Sequence, residues 1–270
     1  MSGLQRHRRR LGSLDCVVVD LAPQPTRAVI LCHGFGAPGD DLVSLADALS
    51  RQTVDPYPRL RFVFPFAPLQ PPELAPYGGR AWWNLNMAAL LAAAQADSFE
   101  QLQESVPPGI ELATEGLVSC VEATLKGLAE LISETSDTQA ELAAAGLADP
   151  GDAAEAASRS PRYVLGGFSQ GAMLATHVAL SGRVPPPDLL VQFSGTLICR
   201  SIWQAGLDAG RLSGTEVLQS HGTLDDILPF AAAQKLRHLV ESHCKAHSFL
   251  PFTGPHTIPA EALASLAEKL

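Results

Sequence analysis

The sequence predicts an α/β protein with a mostly parallel central sheet and helices on both faces. Short apolar or β-branched runs recur along the chain. Helical patterns separate them. Most of the runs are continuous rather than alternating, as strands buried on both faces are. The runs are "DCVVVDL" (15–21), "RAVILCHG" (27–34), "LRFVFPFAP" (60–68), "RYVLGGFS" (162–169), "DLLVQFSG" (188–195), "EVLQSHG" (216–222) and "HSFLPF" (247–252). Helical patterns fall near 41–51 and at about 112–133, 170–181, 230–245 and 259–269.

Two stretches break this rhythm. Residues 69–110 are too long for an ordinary βα connection, and such loops are usually functional or disordered. This one carries Trp82, Trp83, Met87, Leu90 and Phe99, enough apolar surface to pack. Residues 135–160 are Ala-rich and acidic without a bulky apolar stripe, which predicts a solvated helical insertion or a surface loop. No repeat and no interdomain linker is visible, so the 270 residues are expected to form a single domain.

Hydrophobic residues make up 46% of the chain and charged residues 17%, a composition that excludes a disordered protein. The net charge of −9 leaves no electrostatic footprint for nucleic acid. The exception is "RHRRR" at 6–10, where a phosphate or an anionic lipid surface could touch; the plainer expectation is a solvated, frayed terminus. Five cysteines without a CxxC spacing suggest buried thiols in a reducing compartment. Asp15 and Asp20 interrupt any signal-peptide h-region, and no apolar run approaches a membrane span. A cytoplasmic protein is expected.

The stretch "LGGFSQGAM" (165–173) places Ser169 in a G-x-S-x-G pattern, after an expected strand and at the start of an expected helix. That context suits a nucleophile elbow, where Gly167 and Gly171 make room for a sharp turn that presents the serine hydroxyl. The alternative is a glycine-rich turn with an incidental serine. A serine nucleophile needs a base, and the base needs an orienting acid. "SHGTLDDILP" (220–229) places Asp225 and Asp226 in the loop after a strand, and "PFTGPHTIP" (251–259) places His256 in the next. Loops at the carboxyl ends of parallel strands converge. One aspartate of the pair is expected to serve the histidine and the other to cap the following helix or face solvent. His177, His238, His243 and His247 are expected to be packed or solvated, and no metal site is expected. His221 precedes the aspartates and is read as structural. The backbone N–H of Gln170 is the first oxyanion donor expected, and that of Phe35, in the loop "CHGFGAPGD" (32–40), is the second.

Together "LCHGFGAPGDDL", "FPFAPLQP", "RAWWNL", "LGGFSQGAM", "HGTLDDILP" and "GPHTIP" resemble the phospholipase/carboxylesterase family of α/β-hydrolases, which includes acyl-protein thioesterases and bacterial carboxylesterases. These blocks span about 27–260. The resemblance implies the α/β-hydrolase fold, a triad of Ser169, Asp225 and His256, oxyanion donors on Phe35 and Gln170, and no cofactor or metal. It selects Asp225 over Asp226, because the family's acid stands three residues after the His-Gly pair. It places the acyl-pocket block on Ala81, Trp82 and Trp83, and a lid or substrate-channel border on 84–110. The insertion at 135–160 is longer than in compact members.

The expected activity is hydrolysis of carboxylic esters through an acyl-enzyme on Ser169, with Trp82, Trp83 and Met87 contacting a hydrophobic acyl group. The expected partner is a small-molecule acyl ester. Lysophospholipase and acyl-protein thioesterase activities use the same triad and stay open. The reading from another class is an inactive hydrolase fold that binds a ligand; such proteins usually lose a triad member, and all three are present. A homodimer, and a weak lipid contact through "RHRRR" and the apolar 69–110 segment, also stay open.

Overall fold

In the computed structural model, residues 4–52, 59–86, 90, 103–145, 147 and 160–270 are described. The chain runs β1 (Arg6–Leu11), β2 (Leu14–Asp20), β3 (Arg27–Cys32), α1 (Ser44–Ser50), β4 (Leu60–Pro65), a 3₁₀ turn (Ala75–Tyr77), α2 (Ile110–Ala144), β5 (Arg162–Phe168), α3 (Gln170–Ser181), β6 (Leu189–Phe193), α4 (Arg200–Asp208), β7 (Glu216–Gly222), α5 (Phe230–Val240), β8 (Ala246–Phe252) and α6 (Ala260–Ala267). The strands form one sheet in the order β1-β2-β4-β3-β5-β6-β7-β8. β1 and β2 run antiparallel to their neighbours, and all other pairs are parallel.

Side-chain alternation along each strand divides the core in two. On β3, Ala28, Ile30 and Cys32 pack beneath α2, α3, α4 and α5. Val29 and Leu31 pack on the opposite face with Phe62, Phe64, Leu49 of α1 and Leu266 of α6. Both faces are therefore covered, which is why β3, β5 and β6 read as unbroken apolar runs.

Three elements differ from expectation. The "RHRRR" segment is not frayed: it forms β1, registered against β2 from Arg6↔Val19 to Leu11↔Leu14. Its arginines carry no apolar pattern, so backbone pairing rather than burial makes it a strand; its five leading residues are all exposed. The helix expected over 112–133 runs to Ala144, taking in the first part of the Ala-rich insertion. Its buried residues stop at Ile132, and the remainder extends past the core on the helix propensity of Ala and Glu. Of the rest of the insertion, Ala145, Leu147 and Ser160 are the described residues. α4 completes the β6–β7 crossover, burying Trp203 and Leu207 on a short amphipathic face that no long apolar pattern announced. Among the described residues, no helix is long and apolar enough to cross a membrane. The five cysteines are free, four of them buried.

Candidate active site

Ser169 occupies the turn between β5 and α3 with φ 53° and ψ −119°, a left-handed conformation that costs a non-glycine residue about 1–3 kcal/mol. The turn survives because its neighbours have no side chains. A Cβ on Gly171 would lie 2.1 Å from the Cys32 carbonyl oxygen, and one on Gly167 would lie 2.3 Å from the same atom. β3 thus presses its last carbonyl against both glycines. The turn is pinned by the Ser169 N–H, which donates to Phe193 O at 2.9 Å. The serine is partly exposed, while the start of α3 behind it is buried.

The loops after β7 and β8 bring Asp225 and His256 together: His256 Nδ1 lies 2.7 Å from Asp225 Oδ2. The Asp225 side chain is fully buried, whereas Asp226 is exposed. Burial pushes the Asp225 carboxyl up, but hydrogen bonds from His221 and His256, with the N–H of Leu228, outweigh it and hold the group well below the usual carboxylate range. Oδ1 accepts from the N–H groups of Ile227 at 3.0 Å and Leu228 at 2.8 Å. An ionised carboxylate only accepts, so His256 Nδ1 carries the proton of this bond and Nε2 is left as the basic nitrogen. The His256 ring packs against Phe168, the residue before the serine, with centroids 4.8 Å apart. No hydrogen bond joins Ser169 to His256; such bonds commonly tighten only when substrate is present. His221 lies fully buried with Nε2 3.2 Å from Asp225 Oδ2 and 2.8 Å from Leu228 O, so it braces the acid loop.

The loop after β3 lies against the elbow. A Cβ on Gly34 would stand 3.4 Å from Ser169 Cβ and 3.1 Å from the Phe168 ring. Among the described residues, neither the Phe35 nor the Gln170 N–H donates to another backbone group. His33 fixes the loop. Its Nε2 accepts from the Ala67 N–H at 3.0 Å, which leaves Nδ1–H to donate to Gly34 O at 2.8 Å. Burial pushes its pKa down to about 4, so the ring stays neutral.

The Gln170 side chain was not legible as a contributor, and only its position beside the elbow hinted at one. Its Oε1 accepts from the Trp82 N–H at 3.0 Å and its Nε2 donates to Trp83 O at 2.8 Å, clamping the tryptophan pair to the start of α3. Trp82 then spends its indole N–H on His33 O at 2.9 Å. Both tryptophans are 1% exposed and belong to the core rather than to a movable cover. They differ in what they face. Trp83 lines a largely apolar cavity of about 180 Å³ with Leu85, Met173, Leu197, Ile198 and Leu228; Trp82 does not. Met87 and most of the expected lid lie outside the described residues. Among the described residues, no cluster of His, Cys, Asp or Glu could hold a metal ion.

The doubly covered, mostly parallel sheet with its strand–serine–helix turn defines the α/β-hydrolase class. Comparison with known proteins sharpens this: the chain belongs to the phospholipase/carboxylesterase family, whose match runs through residues 14–112 and 121–270. It is 29% identical to acyl-protein thioesterase 1 of Eremothecium gossypii over 249 residues, 89% of this chain and 85% of that one. Among solved structures it resembles esterase PE8 (TM-score 0.62, 25% identity, 94% of this chain and 96% of that one). It also shares its fold with acyl-protein thioesterase 2 of Zea mays (TM-score 0.56, 19% identity, 93% and 95% covered). The protein is a hydrolase that acts on esters or thioesters.

Proposed function

We propose that this protein is a serine carboxylesterase acting on short- to medium-chain acyl esters. Ser169 Oγ attacks the acyl carbonyl while His256 Nε2 takes its proton. The tetrahedral oxyanion accepts hydrogen bonds from the Phe35 and Gln170 amides. The alcohol leaves with the proton returned by His256, and water, deprotonated by the same nitrogen, releases the acid and restores the serine. Asp225 fixes the His256 tautomer and stabilises the imidazolium that forms at each step. The observation that carries this reading is the 2.7 Å Asp225–His256 bond at loops that flank a serine held at φ 53°.

The cavity beside Met173 and Trp83 supports the acyl assignment. A dry cavity of about 150 Å³ holds a six-carbon ring, so one of 180 Å³ takes an acyl chain of about six to eight carbons. The test is hydrolysis of p-nitrophenyl esters from acetate to palmitate by wild type and Ser169→Ala. Expected are a rate optimum near hexanoate to octanoate and a loss of about 10⁴-fold or more in the variant. Full activity in Ser169→Ala, or equal rates across all chain lengths, contradicts the proposal. A thioesterase reading is favoured by the likeness to acyl-protein thioesterase 1. It prevails if octanoyl thioesters are turned over with a much higher kcat/KM than octanoyl esters.

A further inference from the structure

The arginines of β1 take no part in this chemistry, yet the fold organises them. Period-two alternation puts Arg6, Arg8 and Arg10 on one face of β1, the face that packs toward α1. Arg6 is neutralised by Asp47 of α1. Arg8 and Arg10 instead line a recess of about 340 Å³, together with Arg9, Asp15, Phe66 and Arg80. Arg8 and Arg10, from one face of β1, thus border the same recess as Arg80 and a single carboxylate, on a chain whose overall charge is −9. That carboxylate, Asp15, is only 3.5 Å from Arg10 and is widely exposed. Among the described residues, Arg8, Arg9 and Arg80 form no ion pair.

The recess is built rather than incidental. The Phe66 ring supports two guanidiniums, Arg8 at 5.3 Å and Arg80 at 5.5 Å from its centroid. Both cations therefore lie within about 11 Å of each other. Arg80 is fixed in advance: its Nη1 donates to Ala67 O at 3.0 Å, and its backbone exchanges hydrogen bonds with Gly36 and Ala37. A pre-placed guanidinium fork suits a tetrahedral oxyanion better than an isolated charge does. The site also lies at the functional end of the sheet. Cys16 pairs with Pro65 at the carboxyl end of β4, and Arg10 pairs with Asp15 beside it. In the strand order, β1 stands four positions from β5, about 19 Å at the usual strand spacing of ~4.8 Å.

We propose that the recess between β1 and the Phe66–Arg80 region binds a phosphate group through the guanidiniums of Arg8, Arg10 and Arg80. The phosphate is either the headgroup of an anionic phospholipid or a soluble phosphate ester. It sits on the end of the sheet that carries Ser169, so a bound lipid surface faces the catalytic loops. This inference is independent of the esterase reading.

The experiment compares wild type, Arg8→Gln/Arg10→Gln, and the charge-matched control Arg183→Gln/Arg237→Gln, whose arginines are exposed elsewhere. One arm titrates glycerol phosphate and inorganic phosphate by calorimetry. The other sediments the protein with phosphatidylcholine vesicles, with and without phosphatidylglycerol. Binding in either arm, weakened about tenfold or more by the β1 substitutions and unchanged in the control, supports the proposal. Binding in the vesicle arm alone identifies a lipid headgroup, and binding in the calorimetric arm identifies a soluble ester. Arg8→Lys/Arg10→Lys, which keeps the charge but loses the fork, is expected to fall between. No binding by folded wild type in either arm, or equal losses in the control, overturns it. Ester hydrolysis in solution is expected to be unchanged in the β1 variant.

Discussion

Gly171 and His33 show how single residues carry the site. A Cβ at Gly171 meets the Cys32 carbonyl oxygen at 2.1 Å, and backbone cannot yield as a flexible side chain would. Gly171→Ala is therefore expected to destabilise the fold by about 3 kcal/mol and to lower esterase activity by displacing the elbow; an unchanged melting temperature contradicts this. His33 sets a pH dependence. Its folded pKa, about 4, lies below its unfolded value of 6.5. Between those values the unfolded chain binds a proton that the folded chain refuses. Stability therefore rises with pH through this window and is lost as pH falls from 6.5 toward 4. Burial also lowers the pKa of His177 and His247, which act in the same direction. The His33 contribution to the loss is about 2 kcal/mol between pH 7 and pH 5, measurable as a fall in the urea midpoint. Asp225 adds its own loss only at more acid pH, because its carboxyl is held well below the usual range. A urea midpoint that is flat between pH 7 and pH 5 contradicts the assignment of His33 as a buried neutral ring.

At the scale of elements, α2 is the instructive case. Its buried residues lie between Ile110 and Ile132, and beyond them the helix projects past the sheet. Substitutions are expected to divide accordingly. Leu128→Ala, at a fully buried position, costs about 2–5 kcal/mol; Leu142→Ala, at a position 40% exposed, costs less than about 0.5 kcal/mol. Denaturant melts of the two variants check the difference, and comparable losses would place the projecting part in the core. The Ala-rich stretch offered no apolar stripe, so a solvated helix and a surface loop both stayed open there, and periodicity did not show that its first part continues α2. β1 was hidden for a related reason: a strand of arginines looks like a tail until β2 supplies its hydrogen-bond partner. By contrast, α3 and β7 were legible at their full lengths, Gln170–Ser181 and Glu216–Gly222, because glycine and proline punctuation bounds strong apolar runs there.

Across the whole molecule, the sheet gathers residues from five loops at the carboxyl ends of its parallel strands. The sequence by itself determined the alternating architecture, the serine in its strained turn, and the chain order of serine, acid and histidine. These follow from local chemistry: runs long enough to bury, glycines where a turn leaves no room, and polar loops after strands. Between Asp225 and Asp226 the residues alone could not choose, and the family resemblance did. The fold supplies the physical difference, burying one carboxylate against His221 and His256 and leaving the other in solvent. Only the tertiary structure divided the tryptophans, turning Trp83 to the apolar cavity and spending Trp82 on His33. Only it revealed the Gln170 clamp and drew Arg80, 70 residues from Arg10, to the same recess as β1. Such pairings depend on which strands become neighbours, and that order is set by burying the two faces of one sheet rather than by any segment alone.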